Sequence, residues 1–307
     1  MRMIEKSEQK GACILVLGMF DGVHMGHKAL IDHALELKAQ CGLPVTVCTF
    51  SKHPLSVLRP KENPPMLTTL PERAKAMAKL HVDNLCVLPF TRETADISRE
   101  DFLAELILAF QPMAIVAGFN YSFGKKGLGN VAFLIQEEAR YGYETVIVPP
   151  VELGGEAVSS TRIRELLKAG DMMTANTLLT RAYGITGTVE AGKKIGRTLG
   201  FPTANLALPK NKVIPRFGVY TALLREGEKV YPCVVNVGKH PTLPEGHATI
   251  EAHILGGDVS LYGKKIRIAF LHFLRPEKVY ESAEALKTQI VEDVKEAEAF
   301  FCNLSAD

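Results

Sequence analysis

Two hydrophobic patterns divide the chain, and the change between them falls near residue 181. Up to about residue 150, short continuous apolar runs alternate with longer runs whose apolar residues recur at helical spacing. The short runs are CILVL, VTVCTF, NLCVLPF, MAIVAG and TVIVPP, and the longer ones include HKALIDHALELKAQ, LPERAKAMAKL, REDFLAELILAF and NVAFLIQEEARYG. Continuous Val, Ile and Leu runs are typical of strands that are buried on both faces. The alternation therefore predicts an α/β fold, a doubly wound parallel sheet whose ligands lie at the carboxyl ends of its strands.

The second pattern consists of strands without helices between them. The runs YGITGTVE, GVYTALLRE, KVYPCVVNVG, ATIEAHIL and KKIRIAFLHFL are β-branched or alternating, and Gly and Pro turns separate them. This pattern favours a compact antiparallel barrel or sandwich. The last segment, ESAEALKTQIVEDVKEAEAFF, has helical spacing and predicts a helix that packs back onto it. Two helical runs, SSTRIRELLKAG and DMMTANTLLTRA, close the first half, so we predict domains at residues 1–182 and 183–307.

Composition narrows the class of protein. A chain of 307 residues has room for two domains, at roughly 150 residues each. Its 36 basic and 34 acidic residues give a net charge of +2, without the basic excess of a nucleic-acid binder. The six cysteines are scattered and form no C-x-x-C pair, which is typical of reduced thiols. The ten-residue apolar stretch GACILVLGMF is too short for a membrane span. We expect a cytoplasmic protein without nucleic-acid or membrane partners.

The strongest chemical signal is the segment G-M-F-D-G-V-H-M-G-H, residues 18–27, between a predicted strand and a predicted helix. Glycines at such a turn let a phosphate approach the backbone, and the helix N-terminus offers unpaired N–H groups. His24 and His27 add further donors. The histidines could instead be zinc ligands or incidental residues of a tight turn, but the glycine frame suits anions better than metals. We interpret the segment as a polyphosphate cradle.

These ten residues resemble the H-x-G-H signature of the nucleotidyltransferase superfamily, in the form that the prokaryotic bifunctional riboflavin kinase/FAD synthetase family carries. The resemblance continues in chain order through T-F-S-K-H-P, L-T-T-L-P-E-R, G-F-N-Y-S-F-G and S-S-T-R-I-R, which begin at residues 49, 67, 118 and 159. It covers nearly the whole chain. Several motifs in order are far more specific than any one of them.

The resemblance implies adenylyl transfer in the first half: an FMN phosphate oxygen attacks the α-phosphorus of ATP, and pyrophosphate leaves. The catalytic task is to stabilise charge on the transferring oxygens. The resemblance gives that task to His24, His27 and Arg164. Arg164 suits it because a guanidinium can donate two hydrogen bonds to two phosphate oxygens at once. The ATP contacts it implies here are Gly18, Phe20, Asp21, Gly22, His24, His27, Asn120, Ser160, Thr161 and Arg164. The alternative for the second helix start is a serine N-cap and a solvated arginine face, which we favour for Arg162.

The resemblance covers two more regions of the first half, the turn at Asn120 and the loop at His53 and Pro54. Asn120 follows the predicted strand MAIVAG and resembles a nucleotide contact, although many relatives carry Asp-Phe in place of Asn120 and Tyr121. A capped loop is the competing interpretation. His53 and Pro54 resemble the flavin-binding loop, with Lys52 where relatives have proline. A simple turn is the alternative there.

The second half opens with G-T-V-E-A-G-K-K-I-G-R-T-L-G-F-P-T-A-N-L, residues 187–206. It lacks the G-x-x-x-x-G-K-[ST] loop of P-loop kinases, but its glycines and basic residues could form a flap over phosphates. The P-T-A-N element is similar to the riboflavin kinase module. That similarity implies ATP contacts at Gly192, Lys194, Thr203 and Asn205, with Thr203 and Asn205 also as Mg²⁺ ligands. Neutral oxygens suit Mg²⁺ if ATP supplies the charge.

The same similarity implies that Glu251 matches the glutamate that deprotonates the ribityl hydroxyl in the riboflavin kinase module. It alternates with apolar neighbours in I-E-A-H, so it could face a pocket or stand exposed on a strand. One stretch departs from the family: residues 255–260 read L-G-G-D-V-S, where relatives have a Leu-Asp-Phe-Asp-Gly-Asp-like run. Losing an aromatic residue and two acids there would weaken flavin or nucleotide binding.

We therefore expect a bifunctional enzyme with a nucleotidyltransferase-like, Rossmann-like N-terminal domain and a riboflavin kinase-like C-terminal barrel with a terminal helix. It would phosphorylate riboflavin to FMN and adenylylate FMN to FAD, with ATP as co-substrate, Mg²⁺ as cofactor and the flavins as substrates and products. Two alternatives stay open from the sequence: a paralogue with FAD synthetase activity only, and a non-catalytic regulator that binds flavin or nucleotide. The sequence does not indicate the oligomeric state.

Overall fold

A computed structural model describes residues 1–9, 11–190, 200–206, 211–239, 248–257 and 259–304. The chain divides into two compact units, Met1–Ser160 and Thr161–Asp307. The predicted boundary after residue 182 lies inside the second unit, just before its first strand. Among the described residues, no helix is both long and apolar enough to cross a membrane.

The first unit alternates strands and helices. Its strands are β1 Arg2–Ile4, β2 Cys13–Leu17, β3 Val45–Phe50, β4 Asn84–Leu88, β5 Pro112–Gly118, β6 Ser122–Phe123, β7 Gly129–Asn130, β8 Glu144–Val148, β9 Glu152–Leu153 and β10 Glu156–Ala157. Its helices are α1 Met25–Cys41, α2 Leu55–Leu58, α3 Leu70–Lys79, α4 Arg92–Asp96, α5 Arg99–Phe110 and α6 Val131–Tyr141. A further helix, α7 Ser160–Ala169, begins at the last residue of this unit.

Six parallel strands form the central sheet in the order β1-β4-β3-β2-β5-β8. Alternate residues of β2 enter two separate cores. Cys13, Leu15 and Leu17 pack with side chains of α5 and α6, and Ile14 and Val16 pack with side chains of α1 and α3. The predicted doubly wound parallel sheet is therefore confirmed, with an extra edge strand, β1, that the sequence pattern did not indicate.

The strand order places a switch point between β2 and β5. From β2 the chain winds outward through β3 and β4, whereas from β5 it winds the other way to β8. The loops that follow β2 and β5 diverge and leave a crevice at the carboxyl ends of these two strands. Crevices of this kind bind ligands in open α/β sheets. Residues 18–24 and the turn at Phe119 and Asn120 both lie at this edge.

The second unit is a closed antiparallel barrel with helices. Its strands are β11 Gly184–Glu190, β12 Ala204–Leu206, β13 Gly218–Glu226, β14 Lys229–Lys239, β15 Ala248–Ile254 and β16 Lys265–Pro276, in the barrel order β11-β12-β15-β14-β13-β16. Its helices are the remainder of α7, α8 Met172–Leu179 and α9 Ala283–Leu304. The predicted barrel with a terminal helix is confirmed. Strand β12 was not predicted, because three residues inside P-T-A-N-L are too few for a period-2 pattern.

Helix α9 covers part of the outer face of the barrel. Its Ala297 packs against Val219 and Val234, whose neighbours in β13 and β14 alternate into the barrel interior. Arg275 donates from Nε and Nη2 to the two carboxylate oxygens of the buried Asp293, each at 2.7 Å. This two-bond ion pair fixes α9 to the end of β16.

Candidate functional sites

The turn after β2 is held in an unusual backbone conformation. Phe20 and Val23 have φ values of 54° and 45°, and Gly22 has 88°. A positive φ in a non-glycine residue costs about 1–3 kcal/mol and persists only where surrounding contacts impose it. The side chains of Phe20 and Val23 are buried in the core beneath α1. Residues 20–24 are buried, so the packing of these apolar side chains imposes the backbone conformation of the turn.

Asp21 supplies the polar anchor of the same turn. Its buried carboxylate accepts hydrogen bonds from Leu67 N at 2.9 Å, Thr68 N at 3.0 Å and Thr68 Oγ1 at 3.0 Å. Thr68 Oγ1 in turn accepts from Gly22 N at 3.0 Å. The carboxylate thus fastens the turn to the segment that precedes α3. Its contact with ATP stays a prediction, and these hydrogen bonds give it a second role as a brace that holds the turn.

His24 and His27 lie together at the start of α1. His24 is the N-cap residue, and its Nδ1 accepts from His27 N at 3.4 Å. The two imidazole rings stack with centroids 3.7 Å apart, and the His27 ring lies 5.0 Å from that of Phe20. A Cβ at Gly26 would lie 3.3 Å from the His24 ring, so a larger residue would crowd it. The H-x-G-H pattern therefore places two ring donors beside the N-terminus of a 17-residue helix.

Ser160 connects the start of α7 to the same turn, because its Oγ donates to the backbone carbonyl of Asp21 at 2.8 Å. Thr161 and Arg164 follow on α7, where Arg164 is buried and Arg162 is half-buried. The predicted phosphate contacts of Thr161 and Arg164 stay predictions. So does the solvated-face interpretation of Arg162.

Asn120 lies on the exposed turn after β5, at the switch point. The turn is closed by a bond from Tyr121 N to the Gly118 carbonyl at 2.9 Å. Phe119, next to Asn120, keeps 48% of its surface exposed. The accessible Asn120 amide and Phe119 ring therefore lie at the carboxyl ends of the strands, next to the turn after β2.

The predicted flavin loop follows β3. His53 Nδ1 accepts from Leu55 N at 3.2 Å, and Pro54 is the N-cap residue of the short helix α2. Both residues are half-buried. The loop therefore starts at the carboxyl end of the strand next to β2, on the ligand-binding edge of the sheet.

In the barrel, three polar residues stand side by side across adjacent strands. Glu251 of β15 pairs directly with Asn205 of β12 on one side and with Asn236 of β14 on the other. Directly opposed residues share a face of the sheet. Their neighbours Ile250 and Ala252 are buried in the barrel, so this row of Asn205, Glu251 and Asn236 lies on the outer face. The register thus brings together two predicted site residues, Asn205 and Glu251.

Thr203 lines a cavity of about 160 Å³. Pro202 and Ala204 line it as well, as do Gly257, Val259 and Ser260 of the stretch where the sequence departs from the family. The stretch that departs from the family therefore lies beside Thr203, which is predicted to contact ATP and Mg²⁺. Gly192 and Lys194, the predicted flap contacts, lie outside the described residues.

Sequence reasoning missed residues that adjoin both sites. Thr68 is bound to Asp21, and Asn236 flanks Glu251. Glu277 lies over Gly238, where a Cβ would come within 1.8 Å of its Oε1, and burial raises the pKa of Glu277. Thr68 belongs to L-T-T-L-P-E-R, and the family resemblance also extends over N-V-G at residues 236–238 and L-R-P-E at residues 274–277, which contain Asn236 and Glu277. Motif membership was the available signal, but neither contact distances nor strand register can be derived from it.

The two sites support different chemistry. The first offers two imidazole rings beside a helix N-terminus, an arrangement that binds anions. The second offers a carboxylate between two amides, which suits proton abstraction from a hydroxyl held within about 3 Å. Among the described residues, no group of three or more His, Cys, Asp or Glu side chains could hold a metal ion.

Comparison with known proteins gives two family matches and several full-length relatives. A sequence model described as FAD synthetase matches residues 6–162, and one described as riboflavin kinase matches residues 179–301. A bifunctional riboflavin kinase/FMN adenylyltransferase from Listeria monocytogenes is 36% identical over 296 residues, covering 95% of this chain and 93% of the relative. The Escherichia coli protein of the same description is 33% identical over 300 residues, covering 97% and 95%.

A solved structure from Streptococcus pneumoniae, described as a macrolide-efflux protein, is similar over nearly the whole chain. Its TM-score is 0.89 at 29% sequence identity, and the match covers 97% of this chain and 99% of that one. The likeness extends across both units.

Asp21→Asn tests the brace. The amide keeps one acceptor oxygen and turns an NH₂ group toward a backbone N–H, so we expect the free energy of unfolding to fall by about 1–3 kcal/mol. Urea denaturation followed by circular dichroism measures the change. Asp32→Asn is the matched control, because Asp32 makes a surface ion pair with Lys28 and should matter little. Equal stability of the two variants would refute the brace.

Proposed function

The chain belongs to the bifunctional riboflavin kinase/FMN adenylyltransferase family, and we propose that its two reactions are divided between residues 1–182 and residues 183–307. The enzyme phosphorylates riboflavin to FMN with ATP and transfers the adenylyl group of a second ATP to FMN, which gives FAD and pyrophosphate. The division is supported by the FAD synthetase match at residues 6–162 and the riboflavin kinase match at residues 179–301. Because both matches are present, neither the paralogue limited to FAD synthesis nor the non-catalytic regulator is favoured.

For FAD formation, we assign the ATP phosphates to the turn after β2 and the start of α1. The observation that carries this assignment is the position of the turn at the switch point, with its backbone fixed by Asp21 and His24 at the helix N-cap. When an FMN phosphate oxygen attacks the α-phosphorus, negative charge grows on the transferring oxygens and on the departing pyrophosphate. His24, His27 and the N-terminus of α1 stabilise that charge, because they are oriented before the reaction.

The remaining contacts of the first reaction follow the family resemblance. Ser160, Thr161 and Arg164 are assigned to the β- and γ-phosphates that leave as pyrophosphate. Gly18, Phe20 and Gly22 shape the cradle, and Asn120 contacts the nucleotide from the turn after β5. His53 and Pro54 are assigned to FMN. The exposure of Asn120 and the position of the His53 loop at the same sheet edge support these assignments.

For FMN formation, we assign the proton transfer to Glu251. Its carboxylate accepts the proton of the ribityl hydroxyl as the hydroxyl oxygen attacks the γ-phosphorus of ATP and ADP leaves. Asn205 and Asn236 flank Glu251 in one row, so they can hold the reacting groups in place. The assignment of Gly192 and Lys194 to the ATP phosphates rests on the resemblance alone.

The residues present fit Mg²⁺ at Thr203 and Asn205. A hydroxyl and an amide oxygen are hard, neutral ligands, and Mg²⁺ in phosphoryl-transfer sites is held by few protein ligands together with substrate phosphates. The absence of a larger acidic or histidine cluster from the described residues agrees with such an arrangement. When bound, Mg²⁺ would neutralise charge on the phosphates of ATP.

We place the enzyme in the cytoplasm, with riboflavin, FMN and ATP as its partners. All six cysteines are free, and four of them are buried. Burial raises the pKa of Cys13 to about 11, so that its thiol stays protonated and unreactive near neutral pH. Such packed thiols suit a reducing compartment.

His27→Ala tests the first assignment. Loss of the ring should reduce FAD formation from FMN and ATP by at least about 100-fold, the effect typical of removing one charge-stabilising donor. FMN formation from riboflavin should stay at the level of the unmodified chain. Chromatography of flavin products measures both reactions in one preparation, and equal loss of both would contradict separate sites.

Glu251→Gln tests the second assignment in the opposite direction. The amide is nearly isosteric but cannot accept the proton, so FMN formation should fall by about 100-fold or more while FAD formation from added FMN persists. Glu281→Gln, on the exposed segment before α9, is the matched control. A kinase rate near that of the control would remove Glu251 as the base.

A further inference from the structure

The motif L-T-T-L-P-E-R, residues 67–73, contacts the turns that follow two neighbouring strands. Through Leu67 and Thr68 it binds the carboxylate of Asp21 in the turn after β2. Through Arg73, on the first turns of α3, it reaches the end of β3. The assigned ATP turn follows the first of these strands and the assigned flavin loop follows the second.

Arg73 is one of the most completely buried side chains in the described structure, with 1% of its surface exposed. Its Nη1 donates to Thr49 Oγ1 at 3.1 Å and to the carbonyl of Phe50 at 2.9 Å. Its Nε has no hydrogen-bond partner among the described residues. Burying a guanidinium without satisfying all its donors is costly, so packing alone is a poor reason for its presence.

The hydrogen bond from Arg73 determines where the Thr49 hydroxyl can donate its own hydrogen. A guanidinium can only donate, so the Thr49 hydroxyl must accept from Arg73 and point its own hydrogen elsewhere. That hydroxyl donates to the carbonyl of Met19 at 2.9 Å. Met19 belongs to the turn after β2, and Thr49 is buried. Arg73 therefore acts on the ATP-side turn through one side chain.

The bond to Phe50 acts on the other side. Phe50 is the last residue of β3, and its carbonyl immediately precedes residues 51–54, the segment that contains His53 and Pro54. Beyond it, Ser51 N donates to the carbonyl of Leu88 at 2.9 Å, which holds the segment to β4. Arg73 thus binds directly to the point where the flavin-side loop begins.

We propose that Arg73 is a positioning residue for FAD formation, which sets the ATP-side turn through Thr49 and Met19 and the flavin-side loop through the Phe50 carbonyl. It contacts neither substrate and does not enter the chemistry. Because reacting groups must be aligned within fractions of an ångström, releasing either link lowers the rate by misplacing one substrate. This inference rests on the proposed assignment of FAD formation to the first unit.

The test compares the KM values for ATP and FMN in two variants of the full-length chain. Arg73→Met removes both links and should raise both KM values, with kcat/KM for FAD formation lower by about 100-fold. Thr49→Val removes only the link to Met19 and should raise the KM for ATP by about 10-fold, while the KM for FMN stays within about 2-fold. Arg73→Lys keeps a buried donor and should recover part of the loss.

Two matched variants serve as controls. Arg140→Met changes an exposed arginine on α6, and Thr145→Val removes a buried hydroxyl that has no hydrogen-bond partner among the described residues. Both should leave the two KM values unchanged. The folded fraction of every variant is measured by circular dichroism, and FMN formation in the same chain reports on the barrel.

A purely structural role for Arg73 predicts a different result. Both KM values would stay at the level of the controls, and kcat would fall only in proportion to the folded fraction. That result, or a Thr49→Val variant in which the two KM values rise equally, would overturn the inference. If the unmodified chain instead forms no FAD from FMN and Mg-ATP, the assignment of function fails before the variants are compared.

Discussion

The buried carboxylate of Asp21 is the contact on which the first site depends. The turn that follows a parallel strand has no neighbouring strand to hydrogen-bond with. In the turn after β2, Phe20 and Val23 also adopt positive φ. Three hydrogen bonds to the carboxylate hold this turn against the segment before α3. With the turn fixed, the N-terminus of α1 and its two stacked histidines stay oriented before a substrate arrives, and preorganised donors are the ones that stabilise a transition state.

The segment formed by residues 67–73 also contacts β3, the strand next to β2. Residues 67–73 meet the turn after β2 through a carboxylate and the end of β3 through a guanidinium, so the ATP side and the flavin side share one support. In the barrel, the equivalent constraint is strand register. A one-residue slip of β15 would turn Glu251 into the interior and remove it from between Asn205 and Asn236.

The sequence predicted the elements well because their hydrophobic periods are long and unbroken. The five apolar runs of the first half became strands β2, β3, β4, β5 and β8 of the sheet, and the helical spacing after residue 281 became α9. The short strands β1 and β12 were not predicted, since three residues are too few to show a hydrophobic period. Site residues were predicted one by one from motifs, but their partnerships were not. Asp21 and Thr68 are 47 residues apart in the chain, and nothing local in either motif indicates that they touch.

Labelled ATP tests the central claim, that the chain carries out two ATP-dependent transfers with different leaving groups, most directly. The intact chain is incubated with riboflavin, Mg²⁺ and ATP labelled either at the γ- or at the α-phosphate, and the flavins are separated over time. The two transfers predict that the γ-label enters FMN first and is carried into FAD, whereas the α-label appears in FAD and never in FMN. Label from the α-position in FMN, or FAD that gains neither label, would contradict the account.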